Sequence, residues 1–278
     1  MKLENPDLLL TAAIGLANEF YKFQIPLILG GGLSLYIRTG ILEKQRSARF
    51  GHQASLRSTK DIDVFLTTDI VVSETDSQRV RDSLLKLGYS VKTSYFQFER
   101  KLDQDRSVLI DLLAPPTDDD ESDDIRIRTA AKKLHARRNK DARGIHIGLV
   151  KVPESFLPGS LGNLYLVSSF NYIILKLHAL RDRVNDAQSD FGRHHAYDIF
   201  ATVIDMDEND WANAKEHLKS EQEEPYIQSS IELAKEFFSH DVAMGFIRLK
   251  ENSAYQKDAT IFNDYLDDFK SDLMELFP

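Results

Sequence analysis

The 278-residue chain contains no cysteine and no apolar run long enough to cross a bilayer. The absence of cysteine excludes disulfide bonds, thiolate zinc sites and cysteine nucleophiles. The apolar runs stop far short of the roughly 20 residues that a transmembrane helix needs, and the charged beginning of the chain differs from a signal peptide. We therefore expect a cytoplasmic protein that does not bind membranes.

Positive charge is also scarce, because 35 lysines and arginines stand against 44 aspartates and glutamates, giving a formal net charge of −9. Non-specific binding of nucleic acid requires an excess of positive charge. A general nucleic-acid coat protein is therefore disfavoured, whereas a local basic patch is not excluded. Hydrophobic residues make up 42% of the chain and charged residues 28%, as expected for a globular protein with a full-sized core.

The hydrophobic pattern changes near residues 153–163, from mixed helices and strands to helices alone. The pattern predicts helices at 6–21, 33–39, 77–87, 167–183, 193–206, 211–219, 227–238 and 260–276, and strands at 25–29, 61–66, 89–98, 107–113 and 144–152. We therefore predict an α/β (α+β) domain with a mixed sheet at 1–155, followed by an α-helical domain at 156–278.

Two acids in one predicted strand, and a third in another, form the pattern most informative about chemistry. Alternate residues of a strand point to the same face, so Asp61 and Asp63 are expected side by side while Ile62 faces the core. Two adjacent carboxylates repel each other unless a cation lies between them, and Mg²⁺ prefers oxygen ligands. Asp111, the only acid in its apolar run, is predicted to join them from an adjacent antiparallel strand.

A glycine turn precedes these acids in the chain. Gly31 and Gly32 allow the backbone to approach a ligand closely, the amides of the following helix can hold a phosphate, and Ser34 adds a hydroxyl donor. A triphosphate held beside three acids predicts two-metal phosphoryl or nucleotidyl transfer, with two Mg²⁺ ions on the three aspartates and an NTP as substrate. Taken one at a time, the glycine pair can be an ordinary turn, Asp61 and Asp63 can lie on an exposed strand edge, and Asp111 can be a solvated acid.

The residues from 29 to 63 resemble the signature of polymerase-β-type nucleotidyltransferases, a glycine turn followed by an acid-x-acid strand. The sequence Arg-Ser-Thr-Lys-Asp-Ile-Asp at 57–63 is most similar to the AbiEii/AbiGii-type toxins, whose catalytic domain is followed by a helical half. Their Lys-Leu-x-Ala motif followed by arginine resembles 176–181 here. Their last motif, an arginine followed by Lys-Asp-x-x-Asp, resembles 193–198, in which two histidines replace the Lys-Asp pair.

The resemblance implies the toxin of a toxin–antitoxin or abortive-infection pair that acts on tRNA and has a separately encoded antitoxin. It also implies that Lys176 contacts the triphosphate, although a lysine in an apolar helix can instead extend to water. Asp198 is expected to anchor that lysine, to accept a proton from the attacking hydroxyl, or only to be solvated. We interpret His194 and His195 as surface histidines rather than zinc ligands.

Three further segments carry open interpretations. An insertion is expected within 40–60, because 28 residues separate Gly32 from Asp61 where the family has roughly a dozen. The acidic run 118–124 is too self-repelling to form a core element. The stretch Arg126–Arg143 contains eight lysines and arginines, which predicts either a solvated amphipathic helix or a contact with tRNA.

Two other functions stay open on the sequence alone. A small-molecule nucleotidyltransferase of the antibiotic-modifying kind uses the same carboxylates, and would have an acidic acceptor pocket rather than a basic rim. A catalytically silent protein that binds a nucleotide or a partner is the other alternative, because of the insertion and the two histidines.

Overall fold

A computed structural model describes residues 6–45, 61–104, 106–117 and 124–278. These residues divide into two compact units, one made of 6–34 and 61–167 and the other of 35–45 and 168–278. The first unit mixes helices and strands and the second is helical, which confirms the coarse prediction of fold class. The predicted domains were continuous stretches, whereas each of the two units draws on two stretches of the chain.

The described part of the first unit contains nine strands in one mixed sheet. Its strands are β1 Leu27–Leu29, β2 Asp61–Phe65, β3 Ser90–Thr93, β4 Gln97–Lys101, β5 Ser107–Ala114, β6 Arg126–Arg128, β7 His135–Arg138, β8 Val150–Lys151 and β9 Leu164–Leu166. Their order is β3-β4-β5-β2-β1-β9-β8, and β7 pairs with both β5 and β6. The helices are α1 Pro6–Tyr21, α2 Gly31–Gln45, α3 Thr68–Val72 and α4 Glu74–Lys86, with α2 continuing into the second unit.

One face of this sheet is apolar. Ile62 and Val64 of β2, Ile110 of β5 and Phe98 of β4 are buried, and α1 packs against β1, β2 and β5. Because strand side chains alternate between faces, burial of this set fixes the register of the strands and turns the intervening polar residues to the opposite face. The position of the aspartates of β2 therefore follows from the hydrophobic pattern.

The prediction of an amphipathic helix at Arg126–Arg143 is wrong. The segment forms the antiparallel strands β6 and β7 and a 3₁₀ turn at Lys140–Ala142. Ile127 and Ala136 lie opposite each other and are buried, so the segment follows a two-residue rather than a 3.6-residue period. Strands this short leave little periodicity in the sequence.

Other boundaries also differ from the predictions. The strand predicted at 89–98 is a hairpin, in which Ser94 and Tyr95 adopt the left-handed backbone conformation between β3 and β4. The strand predicted at 144–152 is reduced to β8, and the helix predicted at 260–276 is interrupted. Of the polar segment 40–60, residues 40–45 belong to α2, while 46–60 lie outside the described residues, as do 118–123 of the acidic run.

The second unit is built around an aromatic core. Its further helices are α5 Ser169–Arg183, α6 Arg193–Asp205, α7 Glu208–Glu221, α8 Pro225–Phe238, α9 Met244–Lys250, α10 Ser253–Lys257, α11 Ala259–Asn263 and α12 Leu266–Leu276. The ring of Phe200 lies 5.2 Å from those of Phe262 and Phe269, centroid to centroid, in edge-to-face geometry. Such pairs stabilise beyond the area that they bury. None of the helices in the described ranges has both the length and the apolar character required to span a bilayer.

Candidate functional site

Strand β2 presents two carboxylates on one face of the sheet. Asp61 and Asp63 are partly exposed, whereas Ile62 between them is 0% exposed. The alternation predicted from the sequence is therefore confirmed. Acids are poor strand formers, and only the open face of the sheet makes their presence here tolerable.

Strand β5 adds the third carboxylate. It pairs with β2 in parallel, not antiparallel as predicted, and its register sets Asp111 directly beside Asp63. One carboxylate oxygen from each of Asp61, Asp63 and Asp111 lies within 4.8 Å of the others, and no other group of acids or histidines in the described ranges converges in this way. Three carboxylates at this spacing suit a hard divalent cation such as Mg²⁺. We call these three residues the aspartate triad.

The electrostatics of the triad are clearest at Asp111. Asp111 is 7% exposed, and burial raises the pKa of its carboxyl, with the negative charge of Asp61 raising it further. The side-chain amide of Gln97 donates a 2.7 Å hydrogen bond to Asp111, which lowers this pKa, as does the positive charge of Arg137. Like-charge repulsion and desolvation together favour binding of a cation between these carboxylates.

Gln97 was not singled out from the sequence, and Arg137 was noted there only as one of the eight basic residues of the stretch 126–143. Gln97 lies directly opposite Asp111 on β4, and Arg137 lies beside Leu113 on β7, so both reach this face of the sheet only through strand register. The alternation of polar and apolar residues in β4 is the one local signal that points Gln97 away from the core.

The glycine turn packs closely against Asp63 of the triad. The amide of Gly30 donates a 3.0 Å hydrogen bond to the carbonyl of Asp63. Gly31 has a φ of 61°, and a β-carbon at this position would overlap the carboxylate of Asp63. Only glycine combines this backbone conformation with this approach. The turn predicted from the sequence therefore requires glycine at position 31.

Helix α2 begins at this turn. Gly31 and Gly32 occupy its first positions, where backbone amides lack partners within the helix and can bind an anion. The amide of Ser34 already donates to the carbonyl of Gly30 at 3.3 Å, and the side chain of Ser34 is buried. The first-turn amides, rather than the amide of Ser34, are thus the groups available to a phosphate.

Lys176 and Asp198 form an ion pair within the second unit. Lys176 Nζ lies 2.7 Å from Asp198 Oδ2, with the two side chains 8% and 0% exposed. The Tyr172 hydroxyl donates to the same Asp198 oxygen at 3.3 Å, and the ammonium lies 4.8 Å from the centre of the Tyr172 ring. Lys176 therefore does not extend to water, and of the roles considered for Asp198 the geometry shows anchoring of the lysine.

The prediction of two surface histidines is wrong for His195, which is buried. Its Nε2 lies 2.6 Å from Arg183 Nη1. Burial is the main reason that the pKa of His195 lies well below its usual range, and the charge of Lys176 lowers this pKa further. A neutral imidazole that accepts from a guanidinium has a packing role in the helical unit.

Comparison of the chain with protein-family models, with curated proteins and with solved structures finds no match. The resemblance to the AbiEii/AbiGii-type toxins therefore stays a prediction. The geometry of the triad and of the glycine turn carries the functional argument.

Proposed function

We propose that this protein is a Mg²⁺-dependent nucleotidyltransferase that transfers NMP from an NTP to an acceptor hydroxyl. The observation that carries the proposal is the convergence of three carboxylates within 4.8 Å on the face of the sheet that Gly31 abuts. An oxygen-rich cation site beside the first turn of a helix provides the two features that nucleotidyl transfer requires, metal ligands and a phosphate cradle.

Asp61, Asp63 and Asp111 would hold the metal. When bound there, Mg²⁺ supplies charge neutralisation on the triphosphate and makes the acceptor hydroxyl more acidic. The amides of Gly31 and Gly32 bind phosphate oxygens at the beginning of α2. The acceptor oxygen forms a bond to the α-phosphorus while the bond to pyrophosphate breaks, pyrophosphate leaves with the electron pair, and the hydroxyl proton passes to water.

The biological role that we propose rests on the sequence resemblance alone. It is that of a toxin in a toxin–antitoxin or abortive-infection system, with tRNA as acceptor and a separately encoded antitoxin as partner. The helical unit carries the motifs at 176–181 and 193–198, and the ion pair Lys176–Asp198 joins these two motifs. This pairing supports treating the two motifs as one element.

The test is transfer of label from each of the four NTPs to total tRNA in the presence of Mg²⁺. Wild type is compared with Asp63→Ala, and with Asp82→Ala as a matched loss of an exposed acid on α4. We expect label transfer by wild type and Asp82→Ala and none by Asp63→Ala. Binding of NTP without transfer to tRNA or to a cationic small-molecule acceptor would indicate a silent nucleotide-binding protein.

A further inference from the structure

A row of arginines lies on the same face of the sheet as the aspartate triad. In the hairpin of β6 and β7, Arg126 lies opposite Arg137 and Arg128 lies opposite His135. Directly opposed residues share a face, and the buried Ile127 lies on the other face of the hairpin. The side chains of Arg126, Arg128 and Arg137 therefore point to one side. We call Arg126, Arg128 and Arg137 the arginine row.

Strand register relates this row to the triad. Arg137 lies beside Leu113 in the parallel pair of β5 and β7, and Leu113 follows Asp111 by two residues, so Arg137 and Asp111 share a face. Strands lie about 4.8 Å apart and two residues rise about 6.6 Å, which separates these Cα atoms by about 8 Å. The positive charge of Arg137 correspondingly acts on the carboxyl of Asp111.

The charge of the arginine row is only partly compensated. Arg126 is paired with Asp124 at 3.0 Å, whereas Arg128 and Arg137 form no ion pair with any residue that the structure describes. Like charges placed directly opposite each other on neighbouring strands are destabilising. Because Asp124 offsets the charge of Arg126 in the directly opposed pair Arg126 and Arg137, the charges of Arg128 and Arg137 are the ones that an anionic ligand would neutralise.

The row and the glycine turn lie on opposite sides of the triad. The strands follow each other in the order β1, β2, β5, β7 and β6; the turn follows β1, the triad lies on β2 and β5, and the row lies on β6 and β7. In phosphoryl transfer the attacking and leaving oxygens are roughly in line. If the turn holds the leaving phosphates, the acceptor approaches from the side of the arginine row.

We propose that the arginine row binds the backbone phosphates of a polynucleotide acceptor and thereby guides its hydroxyl to the triad. The proposal rests on the proposed function for the identity of the acceptor, but binding itself requires no catalysis. Guanidinium groups suit this task because they bind phosphate oxygens in bidentate fashion. A small cationic acceptor would be repelled by the same surface.

The test measures binding of a fluorescein-labelled single-stranded RNA of about 20 nucleotides, in EDTA and over a range of salt concentrations. The variant is Arg128→Gln/Arg137→Gln, and the charge-matched control is Arg79→Gln/Arg81→Gln on α4. We expect about tenfold weaker binding for the first variant, with the slope of log affinity against log salt reduced by about 1.4, and little change for the control. The single variant Arg128→Gln, at an exposed side chain, covers the case in which the double variant does not fold.

Binding of a labelled NTP with Mg²⁺ is measured in parallel and should stay within twofold of wild type. Equal weakening of RNA binding by both double variants would overturn the proposal. Loss of NTP binding with unchanged RNA binding would overturn it too, because the row would then hold the triphosphate. If Asp63→Ala retains transferase activity, the proposed function fails, whereas the RNA-binding result stands independently.

Discussion

Replacement of Gly31 by alanine tests whether the glycine turn positions the triad. The added β-carbon would overlap the carboxylate of Asp63 in a backbone conformation of φ 61°. The left-handed conformation costs roughly 1–2 kcal/mol for a residue with a β-carbon, and overpacking against Asp63 adds about 1–3 kcal/mol. We expect the free energy of unfolding to fall by about 2–5 kcal/mol and Asp63 to leave its position in the triad.

The matched control is Gly159→Ala. Gly159 also has a positive φ, of 91°, but a β-carbon there would meet no atom within 4 Å. It therefore isolates the backbone cost, about 1–2 kcal/mol. Urea unfolding of wild type and of both variants, with and without Mg²⁺, separates this cost from the effect on the triad.

The effect of Mg²⁺ on the free energy of unfolding shows whether Gly31→Ala displaces Asp63 from the triad. A cation that binds only the folded state stabilises it by RT ln(1 + [L]/Kd), about 1.4 kcal/mol when the concentration is tenfold above Kd. Wild type and Gly159→Ala should show this gain, and Gly31→Ala should not. If Gly31→Ala keeps the gain, or loses no more stability than the control, the argument that this turn sets the position of Asp63 is refuted.

Three further substitutions test individual contacts. Burial raises the pKa of Asp205 from 3.8 to about 7, so wild type should lose about 3 kcal/mol of stability between pH 5 and pH 8. Urea unfolding measures this loss, and Asp205→Asn should abolish it. If the variant keeps the pH profile of wild type, the loss does not come from Asp205. Lys176→Met should cost about 3–5 kcal/mol because it removes the ammonium that compensates the buried carboxylate of Asp198, and Lys176→Met/Asp198→Asn should cost less; additive losses would argue against the pair. Gln97→Ala removes a hydrogen bond to Asp111 and should weaken Mg²⁺ binding about tenfold. Calorimetric titration measures this affinity, and an unchanged value would show that Gln97 does not support the triad.

The part of the site that depends on local alternation of polar and apolar residues could be predicted from the sequence. The period-two pattern of β2 is sufficient to set Asp61 and Asp63 on the polar face, because burial of Ile62 leaves them no other side. The contribution of Asp111 was also expected, but its parallel pairing was not. The direction of a neighbouring strand depends on the path of the chain between the strands, which hydrophobic periodicity does not encode.

The hairpin of β6 and β7 shows where sequence reasoning failed. Its strands of three and four residues are too short for a period to emerge among so many charges. Arg137 joins the face of the triad only through the pairing of β7 with β5, a long-range contact. Burial of His195 was likewise missed, because a histidine carries no preference strong enough to distinguish a packed helix face from an exposed one.

Each of the two charged clusters on this face sets like charges close together, and this is the strongest physical reason to regard them as one functional surface. Three carboxylates within 4.8 Å repel one another, and so do the directly opposed Arg126 and Arg137, of which Arg126 is paired with Asp124. Local features that lower stability without an evident structural gain mark functional sites. Of these residues only Asp111 on β5 and Arg137 on β7 lie on adjacent strands, and within the described part of the chain they form no ion pair, although direct pairing would favour stability. The offset of two residues between Asp111 and Arg137, which lies beside Leu113, is compatible with a cation and phosphates between them.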